Sequence, residues 1–156
     1  MKHLFLLIML FSGIPVSAQR SSNEEAAVKT TINKLFEGMQ KADSTLLRPL
    51  FTATARLQTV VNKEGDITVH DDAIGTFINS IGKAKAGSLD ERLSGMEIKV
   101  DAELATAWTP YVFYFQDKKN HCGVNAFTLV KMNGNWKIQT IIDTRRNDNC
   151  PDLPKQ

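Results

Sequence analysis

The last apolar run of the chain, "TIIDTRR", carries Asp143 two positions before Arg145. A carboxylate among apolar residues is costly to bury without a partner. Burial without one would raise its pKa and suit it to general-base work or to accepting a hydrogen bond from a ligand. Pairing with Arg145, on the same face of a strand, is the structural alternative. "VHDDA" sets His70 beside Asp71 and Asp72. His70 is a candidate acid–base group. Helix capping accounts for Asp71 or Asp72, and no carboxylate–histidine spacing fits a metal, so no metal site is expected. Trp108, Tyr111, Tyr114 and Trp136 join a large apolar area to a polar handle. They can stack on a planar ligand or fill core and interface. Asn125 interrupts an apolar strand and can orient a ligand. Arg56 can attract an anion or sit in solvent.

The stretch "NHCGVNAFTLV" places His121 directly before Cys122. Neighbours on a strand point to opposite faces, so this order is weak evidence for a nucleophile and its base. The other cysteine is Cys150. In an oxidising compartment the single available pairing, Cys122–Cys150, is the expected state, tying the C-terminal tail to the sheet.

The compartment is read from the N-terminus. "MKHLFLLIMLFSGIPVSAQ" has a short basic start, an apolar run over Leu4–Phe11, and small residues at Val16 and Ala18. That is the pattern of a secretory signal peptide, residues 1–18, cleaved after Ala18. The run is too short to span a bilayer. An exported protein, periplasmic or extracellular and without a membrane anchor, is expected. The remaining 138 residues, with 18 basic against 17 acidic, suit one domain over 19–150 with a loop-like tail at 151–156. A balance this even offers no field to collect nucleic acid. "GTFINSIGK" has six residues between Gly75 and Gly82, which misses the phosphate-loop spacing. No G-x-S-x-G or H-E-x-x-H occurs, and no cofactor is expected.

The elements that must position these residues follow from periodicity. Val28, Ile32, Leu35, Phe36 and Met39 share one helical face, with Ser22 and Glu25 as a capping box. Asp43 caps a short second helix that Pro49 limits. "ARLQTVVNKEGDITVH" reads as a hairpin around Glu64–Gly65. Ile74, Phe77, Ile78 and Ile81 mark a third helix, capped by Asp71 or Asp72. Four strands follow: "RLSGMEIKVD", "TAWTPYVFYFQ", "CGVNAFTLVKM" and "WKIQTIIDTRR". Turns are expected at "DAEL", "DKKN" and "NGN". The order α-α-β-β-α-β-β-β-β describes an α+β domain, three helices on an antiparallel sheet.

Pairing Gln116 with His121 and Met132 with Asn135 sorts the strand faces. Trp108, Val112, Tyr114, Asn125, Phe127, Leu129, Trp136, Ile138, Thr140 and Ile142 then share one. Thr109, Tyr111, Phe113, Val124, Ala126, Thr128, Val130, Ile141, Asp143 and Arg145 share the other. Both are substantially apolar. Helices cover one, and a second subunit is the expected cover for the other, making a homodimer.

The helix ending "LFEGMQKAD", the following "LLRPLFTATARL", and "FTLVKMNGNWKIQTIIDTRR" with its W-x-I strand resemble the nuclear-transport-factor-2-like (NTF2-like) superfamily, which includes SnoaL-like polyketide cyclases. The resemblance covers nearly all of the expected mature chain. It is nearest to exported bacterial members grouped under a lumazine-binding name. It implies a cone-shaped curved sheet around an open pocket, often in a dimer. Some such pockets perform cofactor-free isomerase, dehydratase or cyclase chemistry, and others only bind. The leading expectation is a non-catalytic pocket for a small hydrophobic or planar molecule, a lumazine for example, with Trp108, Tyr111, Tyr114, Asn125, Asp143 and Arg56 as ligand contacts. The alternatives are a lyase or isomerase using Asp143 as base with His70 or a tyrosine, and a partner-binding domain whose cone is filled. Two titratable groups on one cavity would favour the enzyme.

Overall fold

The computed structural model describes residues 16–155, with side chains from Ser21 onward. The expected cleavage site and the leader's apolar run therefore lie outside the described side chains. Helix α1 runs Val16–Lys41. Its apolar stripe, Val28, Ile32, Leu35 and Met39, is buried as its spacing predicts. Ser22 lies inside this helix, so it is not a cap: nothing in "VSAQR" breaks a helix, and α1 starts earlier. Glu24 pins α1 to the sheet by accepting from Lys131 Nζ (2.5 Å) and Trp136 Nε1 (2.9 Å).

Helix α2, Ser44–Leu47, is capped by Asp43, which accepts from the Thr45 and Leu46 amides. Pro49 follows in a 3-10 turn, Arg48–Leu50. The hairpin of β1 (Phe51–Lys63) and β2 (Asp66–Asp72) turns at Glu64–Gly65, both at positive φ. Helix α3, Ile74–Lys83, buries Ile78 and Ile81. Its cap is Ala73, without a side-chain bond; Asp71 and Asp72 are still held in the β2 ladder, opposite Gln58 and Leu57, and cannot reach round to cap.

The strand expected at "RLSGMEIKVD" is broken at Ser94–Met96 into β3 (Leu89–Leu93) and β4 (Glu97–Asp101). Both pair with β5 (Leu104–Phe115). Strands β6 (Lys118–Met132) and β7 (Asn135–Arg146) complete the sheet, in the order β2-β1-β7-β6-β5-β3 with β4 also on β5. Every pairing is antiparallel except β1 with β7. This is the expected α+β cone. Its core lies between the inner sheet face and α1–α3, centred on Ile32, Leu35, Phe127, Leu129 and Ile138.

The faces of β6 differ from expectation. The β5–β6 turn falls on Gln116–Asp117, both at positive φ, so Phe115 pairs with Lys118 and Val112 with Cys122. Val112 had been expected opposite Asn125, three positions away. An odd offset moves every side chain to the other face. Register breaks between Phe113 and Tyr114 and between Thr128 and Leu129 complete the difference. Asn125 and Phe127 therefore join Tyr111, Phe113, Asp143 and Arg145 on the inner face. Trp108, Val112 and Tyr114 stay on the outer one.

Candidate functional site

Between α1, α3 and the inner sheet face lies a cavity of about 330 Å3. Leu35, Phe36, Met39, Phe77, Phe127 and Ile141 give it an apolar floor and walls. Six of its polar groups come from four strands: Glu91 on β3, Tyr111 on β5, His121 and Asn125 on β6, Asp143 and Arg145 on β7; Asp72 at the end of β2 and Thr76 and Ser80 on α3 add to the lining. Each of the six alternates along its strand with an outward-facing neighbour, so the pleat presents them to one space.

Asp143 is nearly inaccessible, 4% exposed, and fully engaged. Thr59 Oγ1 donates to Oδ1 (2.6 Å); Tyr111 Oη (3.1 Å) and Arg145 Nε (2.7 Å) donate to Oδ2. The expected Asp143–Arg145 pair is thus present. A carboxylate with three donors is an anchor, both of its oxygens already occupied. What it anchors matters. The Tyr111 hydroxyl lies between Asp143 and the Thr144 carbonyl, 3.1 Å away. Burial, then the Glu91 and Asp143 charges, raise the Tyr111 pKa and keep it protonated. Arg145 is half exposed at the cavity, with only Nε engaged among the described residues.

Gly123 makes this arrangement possible. A Cβ there would stand 1.7 Å from the Thr144 carbonyl oxygen and 3.1 Å from the Tyr111 ring. Only glycine lets β7 and Tyr111 come so close.

Glu91 is the residue that sequence reasoning missed. Its Oε1 accepts from Asn125 Nδ2 (2.8 Å), and Asn125 also reaches Thr109 Oγ1 (3.4 Å). Burial raises the Glu91 pKa to about 7; the Asn125 bond opposes this, the Asp143 charge adds to it, and Arg145 opposes it. In "LDERLSG" the charges look like a solvated turn. The available signal was alternation: Leu89, Glu91 and Leu93 share a strand face. His121 also lines the cavity, its ring edge-on to Tyr111 and tilted on Phe113. Burial, and then the Arg145 charge, lower its pKa against the pull of Asp143. It is a neutral imidazole near pH 7. With Nδ1–H donating to Asn120 Oδ1 (2.8 Å), Nε2 is the proton acceptor.

The other expected contacts lie elsewhere. Trp108 is half exposed on the outer face, and Tyr114 packs there with Val112 and Cys122. Arg56 is an exposed partner of Asp71 (2.8 Å). His70, also exposed, lies 3.5 Å from Asp72. None of the four lines the cavity. Trp136 is core, bonded to Glu24. Cys122 and Cys150 form the expected disulfide (S–S 2.09 Å). Cys122 is therefore no nucleophile. No group of three or more metal-ligating side chains occurs among the described residues.

A model of the SnoaL-like domain matches residues 20–142. No curated protein matches in sequence. Solved structures share the fold. An NTF2-like protein of unknown function from Shewanella baltica OS155 is 21% identical, with a TM-score of 0.59 over 81% of this chain and 97% of its own. A candidate dehydratase of the NTF2-like family from Streptomyces avermitilis is 13% identical, with a TM-score of 0.62 over 81% and 98%. A candidate ketosteroid isomerase from Shewanella frigidimarina is 14% identical, with a TM-score of 0.56 over 75% and 94%.

Proposed function

We propose that this chain, which belongs to the SnoaL-like domain family, binds a small, largely apolar carbonyl compound in its cavity and moves a proton on it, as an isomerase or a dehydratase does. The observation that carries this is Glu91, a carboxyl facing an apolar cavity with its pKa raised to about 7. Such a group takes and returns a proton near neutrality. Glu91 replaces Asp143 in the role of base. Asp143 holds Tyr111 and Arg145, and the free guanidinium nitrogens of Arg145 suit a developing oxyanion. His121 is a second proton acceptor on the same cavity. No cofactor enters this chemistry.

The test is solvent-deuterium exchange into a panel of cyclic and aromatic ketones, followed by NMR. Glu91→Gln should slow exchange by roughly 10²–10⁴-fold with the fold intact. Exchange that survives in Glu91→Gln would sink the assignment.

The set of aromatic rings around the cavity, Phe36, Phe77, Phe113 and Phe127, also favours a planar guest, a lumazine-like heterocycle included. If such a guest binds and the panel shows no exchange, the pocket is a binding module. We further propose export of the chain, on the leader pattern and the disulfide, and a homodimer through the outer face around Trp108. No helix among the described residues is long and apolar enough to cross a membrane. Native mass spectrometry of oxidised, exported protein reads cleavage, assembly and any retained guest together.

A further inference from the structure

The C-terminal tail touches the outer face of the sheet behind the cavity. Cys150 is bonded to Cys122 on β6. Three residues on, the Leu153 carbonyl accepts from Arg92 Nη1 (2.6 Å) on β3. The Tyr114 hydroxyl on β5, between them, lies 3.3 Å from both the Leu153 carbonyl and amide. Arg92 stacks over the Tyr114 ring, 3.7 Å from its centroid, and is paired with Asp90 (2.8 Å). Lys119 on β6 also meets Asp152. The tail is thus a strap across β3, β5 and β6.

Its attachment points are the sequence neighbours of the cavity groups. Asp90 and Arg92 flank Glu91; Cys122 follows His121. By strand alternation, what holds the outer residues also fixes where their inner neighbours stand. The strand that needs this most is β3, a five-residue strand at the end of the sheet order, paired among the described residues only with β5.

We propose that the disulfide-tethered tail, residues 150–153, is a positioning element that sets the placement of Glu91 relative to His121 across β5. The proposal rests on the reading of Glu91 as the working group of the cavity. Its test uses the full chain and needs no ligand. Cys150→Ser releases the tether. A dithiol does the same in the native chain: its two thiols give two electrons and two protons to the S–S bond, leaving Cys122 and Cys150 as thiols and the reagent as a disulfide.

Two readouts follow. Hydrogen exchange of the β3 amides should speed up by roughly tenfold or more on release, while that of α3 stays unchanged. The Glu91 carboxyl, followed by carbon NMR, should titrate lower by about one pH unit or more as water reaches it. Arg92→Lys, which keeps the charge but loses the fork and the stacking, should give a smaller shift in the same direction. Loss of melting temperature with β3 exchange and the Glu91 titration both unchanged would make the tail a plain staple and overturn the proposal. So would faster exchange everywhere alike. A native Glu91 that titrates near 4.5 would count against the functional reading, and the β3 exchange would still decide the strap.

Discussion

The two faces of the sheet carry the same short pattern, Asp-x-Arg, to different ends. On the outer face, Arg92 is spent: Asp90, the Leu153 carbonyl and the Tyr114 ring use it fully, and both charged side chains are under 10% exposed. On the inner face, Asp143 is equally hidden at 5%, but its Arg145 is 50% exposed with nitrogens to spare. A buried pair with every donor satisfied is architecture. A buried acid holding a half-free arginine at the wall of a cavity is equipment. Composition alone does not separate the two; the unused hydrogen-bonding capacity does.

The comparison is sharpest where its arginines are removed. Arg92→Met should destabilise by roughly 3–5 kcal/mol, because Asp90 is left buried without its partner. Arg145→Met should cost roughly 1–2 kcal/mol, since Thr59 and Tyr111 still donate to Asp143. Its larger effect should fall on exchange or ligand retention. Urea unfolding of both variants checks this, and equal losses would erase the distinction between the faces.

A smaller effect is the pH dependence of stability. Folded Glu91 holds its proton up to about pH 7, while its ordinary value is 4.5. The folded state therefore binds more proton between these limits. Its contribution to stability is fully present below about pH 4.5 and is lost as pH rises through about 7. His121 acts in the opposite sense, its lowered pKa costing stability as pH falls. Subtracting the Glu91→Gln profile from that of the native chain cancels the histidine. The difference should decline with rising pH across that window. A flat difference would mean that Glu91 is as well solvated folded as unfolded.

The smallest effect should be at the hairpin. Arg56→Ala removes a pair exposed by more than half on both sides. It should change stability by less than about 0.5 kcal/mol, fading further in salt. A larger loss would show that exposed pairs here behave like the buried ones.

These differences also explain what the sequence made legible. The α1 stripe, the Glu64–Gly65 and Asn133–Gly134 turns and the disulfide are local or combinatorially simple, so pattern and chemistry sufficed. Asp143 and Arg145, two apart on one strand, were paired correctly for the same reason. Asn125 was placed with Trp108 because the β5–β6 turn is tighter than "DKKN" suggests, and register is a non-local quantity that one residue can invert. Glu91 was hidden by its charged neighbours. Asp90 and Arg92 make "DER" look solvated, yet both are buried, with Arg92 set against the Tyr114 ring and the Leu153 carbonyl, partners distant in sequence. His121 was rightly refused as a base for Cys122, which the disulfide occupies, but its own place on the cavity depended on that same register.

One feature of the sheet governs how the molecule comes into being. Strand β7, the last in the chain, lies between β6 and β1 and pairs with β1 in parallel. A nascent chain that stops short of it has β1–β2 and β3–β6 as two separate pieces, with no seam between them. Closure must wait for the final strand and then join residues some eighty positions apart. Such non-local pairing slows folding relative to a chain held by local contacts. A sheet that stays open until β7 has been synthesised leaves the facing edges of β1 and β6 unpaired until then, and those edges are where a wrong strand could add.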